Sequence, residues 1–261
     1  MNFEYFSLSD TGQVRDNNED AVAIDTDSQI VVLADGMGGY AAGEVAAAMA
    51  TTFAITELGR WIAEGGSAAS ARELRRAMEI CIDNANRSIF NAANSNPQYA
   101  GMGTTLVMGV FQDARTLIGH VGDSRCYRLR EGALVQLTRD HSLLQEQIDA
   151  GLLTPEQAQF ATHKNLVTRA LGVEDTVLLE VSEYRAEEGD LFLLCSDGLT
   201  DMMSDERIAA ILVTAGTLEE KCHALVDAAN DFGGRDNISV ILVHARSKPV
   251  RRGLLSRMLG Q

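Results

Sequence analysis

Short apolar runs broken by Gly, Asp and Asn recur along the chain. They predict strands at residues 3–8, 21–25, 29–34, 103–111, 117–121, 125–129, 134–138, 177–184, 191–195 and 238–243. Apolar residues at helical spacing predict helices over 43–59, 70–93, 204–214 and 218–230, with shorter helical patterns at 142–150 and 155–160. Ser70 followed three residues later by Glu73 suits a capping box, and Ser204 and Thr217 suit N-caps. The strands between 103 and 138, joined at Gln112-Asp113 and Glu131-Gly132, read as an antiparallel meander. The pattern is α+β, and periodicity alone allows several ways of layering it.

The most apolar runs share an ending. Val31-Val32-Leu33-Ala34 runs into Asp35 and then Gly36, Gly38 and Gly39; two further runs end at Asp123 and Asp197, and Asp236 precedes the last strand. Asp is disfavoured inside strands, so it marks the strand end, and glycines beside it let backbone approach a ligand closely. A lone Asp-Gly is ordinarily a turn. Four acids at the ends of strands of one core would share a rim, and they would repel one another unless cations neutralised them. Arg15 precedes Glu19 and Asp20 in a polar, turn-rich segment. That segment is either a solvated loop with a local ion pair or a guanidinium fork for phosphate oxygens beside a metal rim, with Glu19 and Asp20 holding metal-bound water.

Composition narrows these readings. A chain of 261 residues, 46% hydrophobic and 23% charged, fits one globular domain. Its apolar runs are too short to span a membrane and its first residues lack signal-peptide character, so a cytoplasmic protein is expected. The net charge of −15 argues against nucleic acid as a partner. Residues 246–261 carry five basic and no acidic side chains, with a small apolar stripe at Leu254, Leu255, Met258 and Leu259; a weakly docked extension is favoured over a membrane-surface helix. Cys81, Cys126, Cys195 and Cys222 show no C-x-x-C spacing and read as free, buried thiols. Cys81 and Arg87 match the C-x5-R pattern of cysteine phosphatases, but the segment keeps helical periodicity and lacks glycine, so Cys81 is expected in the core and Arg87 on the surface.

Taken in order, Arg15-x-x-Asn18-Glu19-Asp20, Asp35-Gly36-Met37-Gly38-Gly39, Gly103-Thr104-Thr105, Val121-Gly122-Asp123-Ser124-Arg125, Asp140-His141-Ser142, Cys195-Ser196-Asp197-Gly198-Leu199 and Asp236-Asn237 resemble the motifs of PP2C-type (PPM) metal-dependent protein phosphatases, bacterial branch. The resemblance implies a four-layer α-β-β-α sandwich of two antiparallel sheets flanked by helices, over residues 1–245, with a flap at about 140–165 and the basic tail beyond. It implies hydrolysis of phosphoserine and phosphothreonine in proteins by metal-bound water, with two to three Mn²⁺ or Mg²⁺ ions and a cognate Ser/Thr kinase acting in opposition. It carries over Asp35 as a bridging ligand, the Gly36 carbonyl on one ion, Asp197 and Asp236 on the other, and Asp123 with Asp197 on a third. Glu19 and Asp20 would assist through water, and Arg15 would hold the phosphate. Many eukaryotic relatives have a histidine, a candidate general acid, where Met37 stands, and this chain leaves that role unassigned. His141 and His163 are expected near the cleft surface, Thr104 and Thr105 as strand residues with support of the site as the alternative, and Arg235 either as an ion-pair partner of a neighbouring carboxylate or in a direct substrate role. The reading from another class is a catalytically silent phosphoprotein-binding regulator on the same scaffold.

Overall fold

The computed structural model describes residues 1–38, 42–154, 157 and 166–247. The short helical pattern at 155–160, His163, Gly39 and the tail from Lys248 lie outside the described residues or mostly so. The strands are β1 (Asn2–Asp10), β2 (Asp20–Asp25), β3 (Ile30–Met37), β4 (Gly103–Thr104), β5 (Leu106–Gln112), β6 (Arg115–Val121), β7 (Arg125–Arg130), β8 (Ala133–Gln136), β9 (Glu180–Arg185), β10 (Leu191–Cys195) and β11 (Ile238–Arg246). They form two antiparallel sheets, ordered β1-β11-β10-β7-β8 and β2-β3-β5-β6-β9, with β4 paired to the end of β3.

Sequence alternation decides how these sheets pack. In β3, Ile30, Val32 and Ala34 face one cluster while Val31 and Leu33 face another. In β10 and β11 the same alternation sends Phe192, Leu194, Ile241 and Val243 to the layer shared by both sheets, and Leu193, Cys195, Val240 and Leu242 outward. Strands apolar on both faces must be covered on both faces, and here the two sheets cover each other on the inside while helices cover them outside. The first sheet is covered by α6 (Asp205–Leu212) and α7 (Leu218–Asp231), which bury Ile208, Leu212, Leu225 and Ala229. The second is covered by α1 (Ala42–Phe53) and α3 (Ala71–Ser95). The α-β-β-α sandwich implied by the motifs is thus the observed architecture.

Local chemistry sets the helix boundaries. Ser70 and Thr217 both form reciprocal capping boxes, with Glu73 and Glu220. Ser204 stands at the N-cap of α6, but its hydroxyl caps no backbone amide. The helix expected over 43–59 runs on through a π-helical turn at Ala54–Leu58 into α2 (Gly59–Ala63). Cys81 is buried on the inner face of α3, and Arg87 pairs with Asp83 on its surface at 3.0 Å.

Several expectations change. The strand opening the glycine motif does not stop at Asp35 but continues to Met37, because β4 lies alongside and pairs Gly36 with Thr104. The expected strand over 103–111 is broken at Thr105, and the meander is divided: β5 and β6 belong to one sheet, β7 and β8 to the other. The chain crosses between sheets at Gly122, whose φ of +105° turns it. Among the described residues two further α-helices are α4 (Leu143–Asp149), capped by Ser142, and α5 (Asp197–Thr200), a single turn not foreseen after β10.

Candidate active site

At one end of the sandwich the tips of β2, β3, β10 and β11 meet, and Asn237 is the fastening between them. Its amide donates to the carbonyls of Thr11 and Asn17, each at 2.9 Å, and its Oδ1 accepts from the Glu19 N–H at 2.8 Å. The Arg15–Glu19 segment is thereby tied to a residue more than two hundred positions away. The Gly36 N–H donates to the Glu19 carbonyl at 3.1 Å. A side chain at Gly36 would meet the Gly43 carbonyl at 2.2 Å, so only glycine lets α1 sit this close to β3.

These contacts shape a cleft of about 330 Å³ lined by Arg15, Glu19, Asp35, Gly36, Asp123, Asp197 and Asp236, with Met37, Thr105 and Val167 among its walls. Asp20 lies beneath it, paired across the sheet with Asp35 and accepting from Ser196 Oγ at 2.9 Å. The four carboxylates expected at strand ends therefore do converge. Arg15 does not pair locally with Glu19 or Asp20; its guanidinium donates to Asp236 Oδ2 at 2.6 Å.

The electrostatics follow from burial and crowding. Burial, then the charges of Asp20, Asp197, Asp123 and Asp236, pushes Asp35 well above the ordinary carboxylate range. Burial, then Asp123, Asp201 and Asp236, does the same to Asp197. Asp20 is pushed up to about 6, mainly by burial. Asp123 is pushed up to about 6 by burial and by the charge of Asp140. Arg15 is the one cation on the cleft wall among the described residues, and its bond to Asp236 raises its own pKa. One carboxylate oxygen, Asp20 Oδ1, is buried with no hydrogen-bond partner among the described residues. A set of repelling acids, an orphaned oxygen and an exclusively oxygen donor set suit hard divalent cations and not zinc or a soft metal.

Sequence reasoning gave Asn237 no role, although it adjoins the fourth acid, and it missed Ser196, Asn17 and Asp201. Asn17 donates to Glu19 Oε1 at 3.2 Å, and Asp201 adds its charge to that felt by Asp123 and Asp197. His141 is corrected outright. It is not a surface histidine but is buried beneath the Gly122 turn, because its ring stacks on His120 and its Nδ1 accepts from the Gly122 N–H. Among the described residues no histidine lines the cleft, and Arg235 is exposed without a salt bridge.

Comparison with known proteins places this arrangement. Residues 12–229 match the family model described as Protein phosphatase 2C. The serine/threonine phosphatase stp of Listeria monocytogenes is 40% identical over 238 residues, covering 90% of this chain and 93% of that one. The crystal structure of the Mycobacterium tuberculosis serine/threonine phosphatase PstP/Ppp superimposes with a TM-score of 0.85 at 36% identity, over 95% of this chain and all of that chain. A further structure of the PstP catalytic domain, in complex with two manganese ions, gives a TM-score of 0.80 at 36% identity over 94% of this chain and 99% of that one. The chain belongs to the protein phosphatase 2C family. It is an enzyme of the protein phosphatase class, and the silent-regulator alternative falls away.

Proposed function

We propose that this chain is a metal-dependent phosphatase that hydrolyses phosphoserine and phosphothreonine in proteins, and that it reverses the action of a bacterial Ser/Thr kinase. The observation that carries the reading is the convergence of Asp35, Asp123, Asp197, Asp236 and the Gly36 backbone on one cleft with Arg15 at its side. Asp35 and the Gly36 carbonyl would hold one ion and Asp197 and Asp236 another, with Asp123 and Asp197 at a third, outer position; Asp20 and Glu19 would act through water. The manganese reported for the PstP structure supports this assignment. Bound Mg²⁺ or Mn²⁺ supplies charge neutralisation and water activation for in-line displacement at phosphorus.

The chain's own residues do the rest. The carboxylates give up their protons to become ligands, which their raised pKa values make energetically unfavourable without a cation. Arg15 presents a planar donor fork for phosphate oxygens, and its pairing with Asp236 keeps that fork aimed into the cleft. Asn237 fixes the loop that carries Arg15 and Glu19. No nucleophilic side chain takes part: Cys81 lies on α3 in the core, and burial pushes its thiol up to about 12.

Four buried free thiols suit a reducing cytoplasm, and no helix among the described residues is long and apolar enough to cross a membrane. The test is hydrolysis of a phosphothreonine peptide by metal-stripped protein with Mn²⁺, with Mg²⁺ and with chelator. Turnover that requires the ion, and that is abolished in Asp35→Asn, supports the reading. Turnover in chelator, or none in any metal, overturns it.

A further inference from the structure

Apart from the charge that Asp140 adds at Asp123, the Asp140-His141-Ser142 stretch has no part in the cleft chemistry described so far, yet its histidine is among the most constrained residues near it. His141 is 7% exposed and lies face to face with His120, 4.7 Å between ring centroids and 17° between planes. Its backbone N–H donates to the Gly122 carbonyl at 2.9 Å, and its ring Nδ1 accepts from the Gly122 N–H at 3.1 Å. One residue thus holds both polar groups of the glycine that turns the chain into Asp123. On the other side of the turn, the hydroxyls of Ser124 and Thr105 share a hydrogen bond at 2.7 Å. The His141 carbonyl accepts from the Thr168 N–H at 2.8 Å, and Ser142 bridges to Val167 on the cleft wall.

The tautomer follows from the partners. A backbone N–H only donates, so Nδ1 carries the lone pair and the neutral ring keeps its proton on Nε2, which faces Glu180 Oε2 at 3.3 Å. His120, the cross-strand partner of Glu180, donates from Nε2 to the Arg139 carbonyl at 2.7 Å. Ligand atoms of His120, His141 and Glu180 lie within 4.8 Å of one another, which suggests a metal site. The tautomer argues otherwise: binding an ion through His141 Nε2 while Nδ1 accepts from Gly122 would need an imidazolate. The chain of contacts runs instead from carboxylate to ring to backbone, the same relay by which outer groups orient the ligands of metal centres.

We propose that the Glu180–His141 pair is a positioning device that fixes the Gly122–Asp123 turn and so sets the affinity of the outermost cation position, shared by Asp123 and Asp197. This rests on the cleft being a divalent-cation site. The effect is largest at the outer position because the other acids have further supports, although the Thr105 hydroxyl meets both the Asp35 N–H and Ser124. Asp35 is held through its backbone by Thr104 and Thr105, Asp20 by Ser196, and Asp236 by Arg15 and the Asn237 N–H.

The test is titration of metal-stripped full-length chain with Mn²⁺, followed by calorimetry and by electron paramagnetic resonance of free ion, with thermal unfolding in parallel. His141→Phe keeps an aromatic ring against His120 but cannot accept from Gly122. His141→Asn places an amide oxygen near the Nδ1 position. Glu180→Gln alters a half-exposed side chain and is expected to fold as wild type, which the thermal unfolding checks. His141→Phe is expected to weaken the weakest Mn²⁺ class by roughly 10–100-fold while the tighter classes stay in place. His141→Asn should recover most of that loss, and Glu180→Gln should show a smaller loss of the same class. Unchanged binding in both His141→Phe and Glu180→Gln overturns the proposal, as does equal weakening of every class or a His141→Asn variant no better than His141→Phe. Should His141→Phe not fold, Glu180→Gln decides alone: unchanged outer affinity overturns the proposal. A wild-type chain that binds no Mn²⁺ overturns the cleft reading itself, a result distinct from a His141-independent third class.

Discussion

Arg15 donates to Asp236 at 2.6 Å, joining two residues separated by 221 positions. The pair is open to solvent, with side chains 54% and 35% exposed, so it contributes little to stability, at most about 1 kcal/mol. Its value lies in aim. Arg15→Ala should therefore raise KM for a phosphothreonine peptide by roughly tenfold or more, with a thermal midpoint within about 2 °C of wild type. Arg15→Lys should recover little, since an ammonium lacks the planar fork. Steady-state kinetics and a melting curve check both halves.

Asn237 makes the opposite prediction. It is 6% exposed, and its side chain serves two carbonyls and one amide. Asn237→Ala leaves those groups without partners in a confined space, at a cost of about 2–4 kcal/mol. Urea unfolding should show that loss, and activity should fall with it because the loop bearing Arg15 and Glu19 is released.

The acidic cleft gives the metal-free protein an inverted pH response. Asp20 and Asp123, raised to about 6, hold protons in the folded state that they lose on unfolding between the ordinary carboxylate value and about 6. Raised carboxylate pKa values mean that folding is favoured at the acid side of that window and is weakened as pH climbs through it; Asp35 and Asp197 extend the window upward. Metal-stripped protein should melt roughly 5 °C or more lower at about pH 7.5 than at about pH 5. Saturating Mn²⁺ at the higher pH should reverse the loss, and Asp35→Asn should flatten the metal-free pH dependence. Differential scanning calorimetry reads all three.

Much of this was legible in the chain. Burial of β3, β10 and β11 on both faces follows from their runs of consecutive apolar residues, and the Ser70/Glu73 capping box and the Thr217 N-cap were written in the sequence. The acids of the cleft stood out by recurring at the ends of strong strands. What could not be read was partnership across distance. Local spacing put Arg15 beside Glu19 and Asp20, whereas tertiary packing gives it Asp236. His141 carried no periodic signal, since its burial comes from stacking on His120 and holding Gly122. The continuation of β3 through Asp35 depends on β4, a strand of two residues too short for any pattern. Likewise, the switch of the chain between sheets at Gly122 lies in one backbone angle, φ +105°.

Cys81 offers a control that separates mechanisms. It is 5% exposed on α3 and its thiol is pushed up to about 12, so it is not a thiolate at neutral pH. Cys81→Ser should retain Mn²⁺-dependent turnover within about threefold and lower stability by about 1 kcal/mol through burial of a more polar group. Loss of all turnover in a folded variant would point to a covalent thiol mechanism instead.

The central claim is that Asp35, Asp197 and Asp236, far apart in the chain, hold neighbouring divalent ions in one cleft. Crystals grown with Mn²⁺ and measured at the manganese absorption edge test it most directly. The account predicts at least two anomalous peaks in the cleft, ligated by carboxylate oxygens of these residues and by the Gly36 carbonyl, and their absence in Asp35→Asn. A cleft without peaks at saturating Mn²⁺, or peaks bound only elsewhere on the molecule, would contradict it.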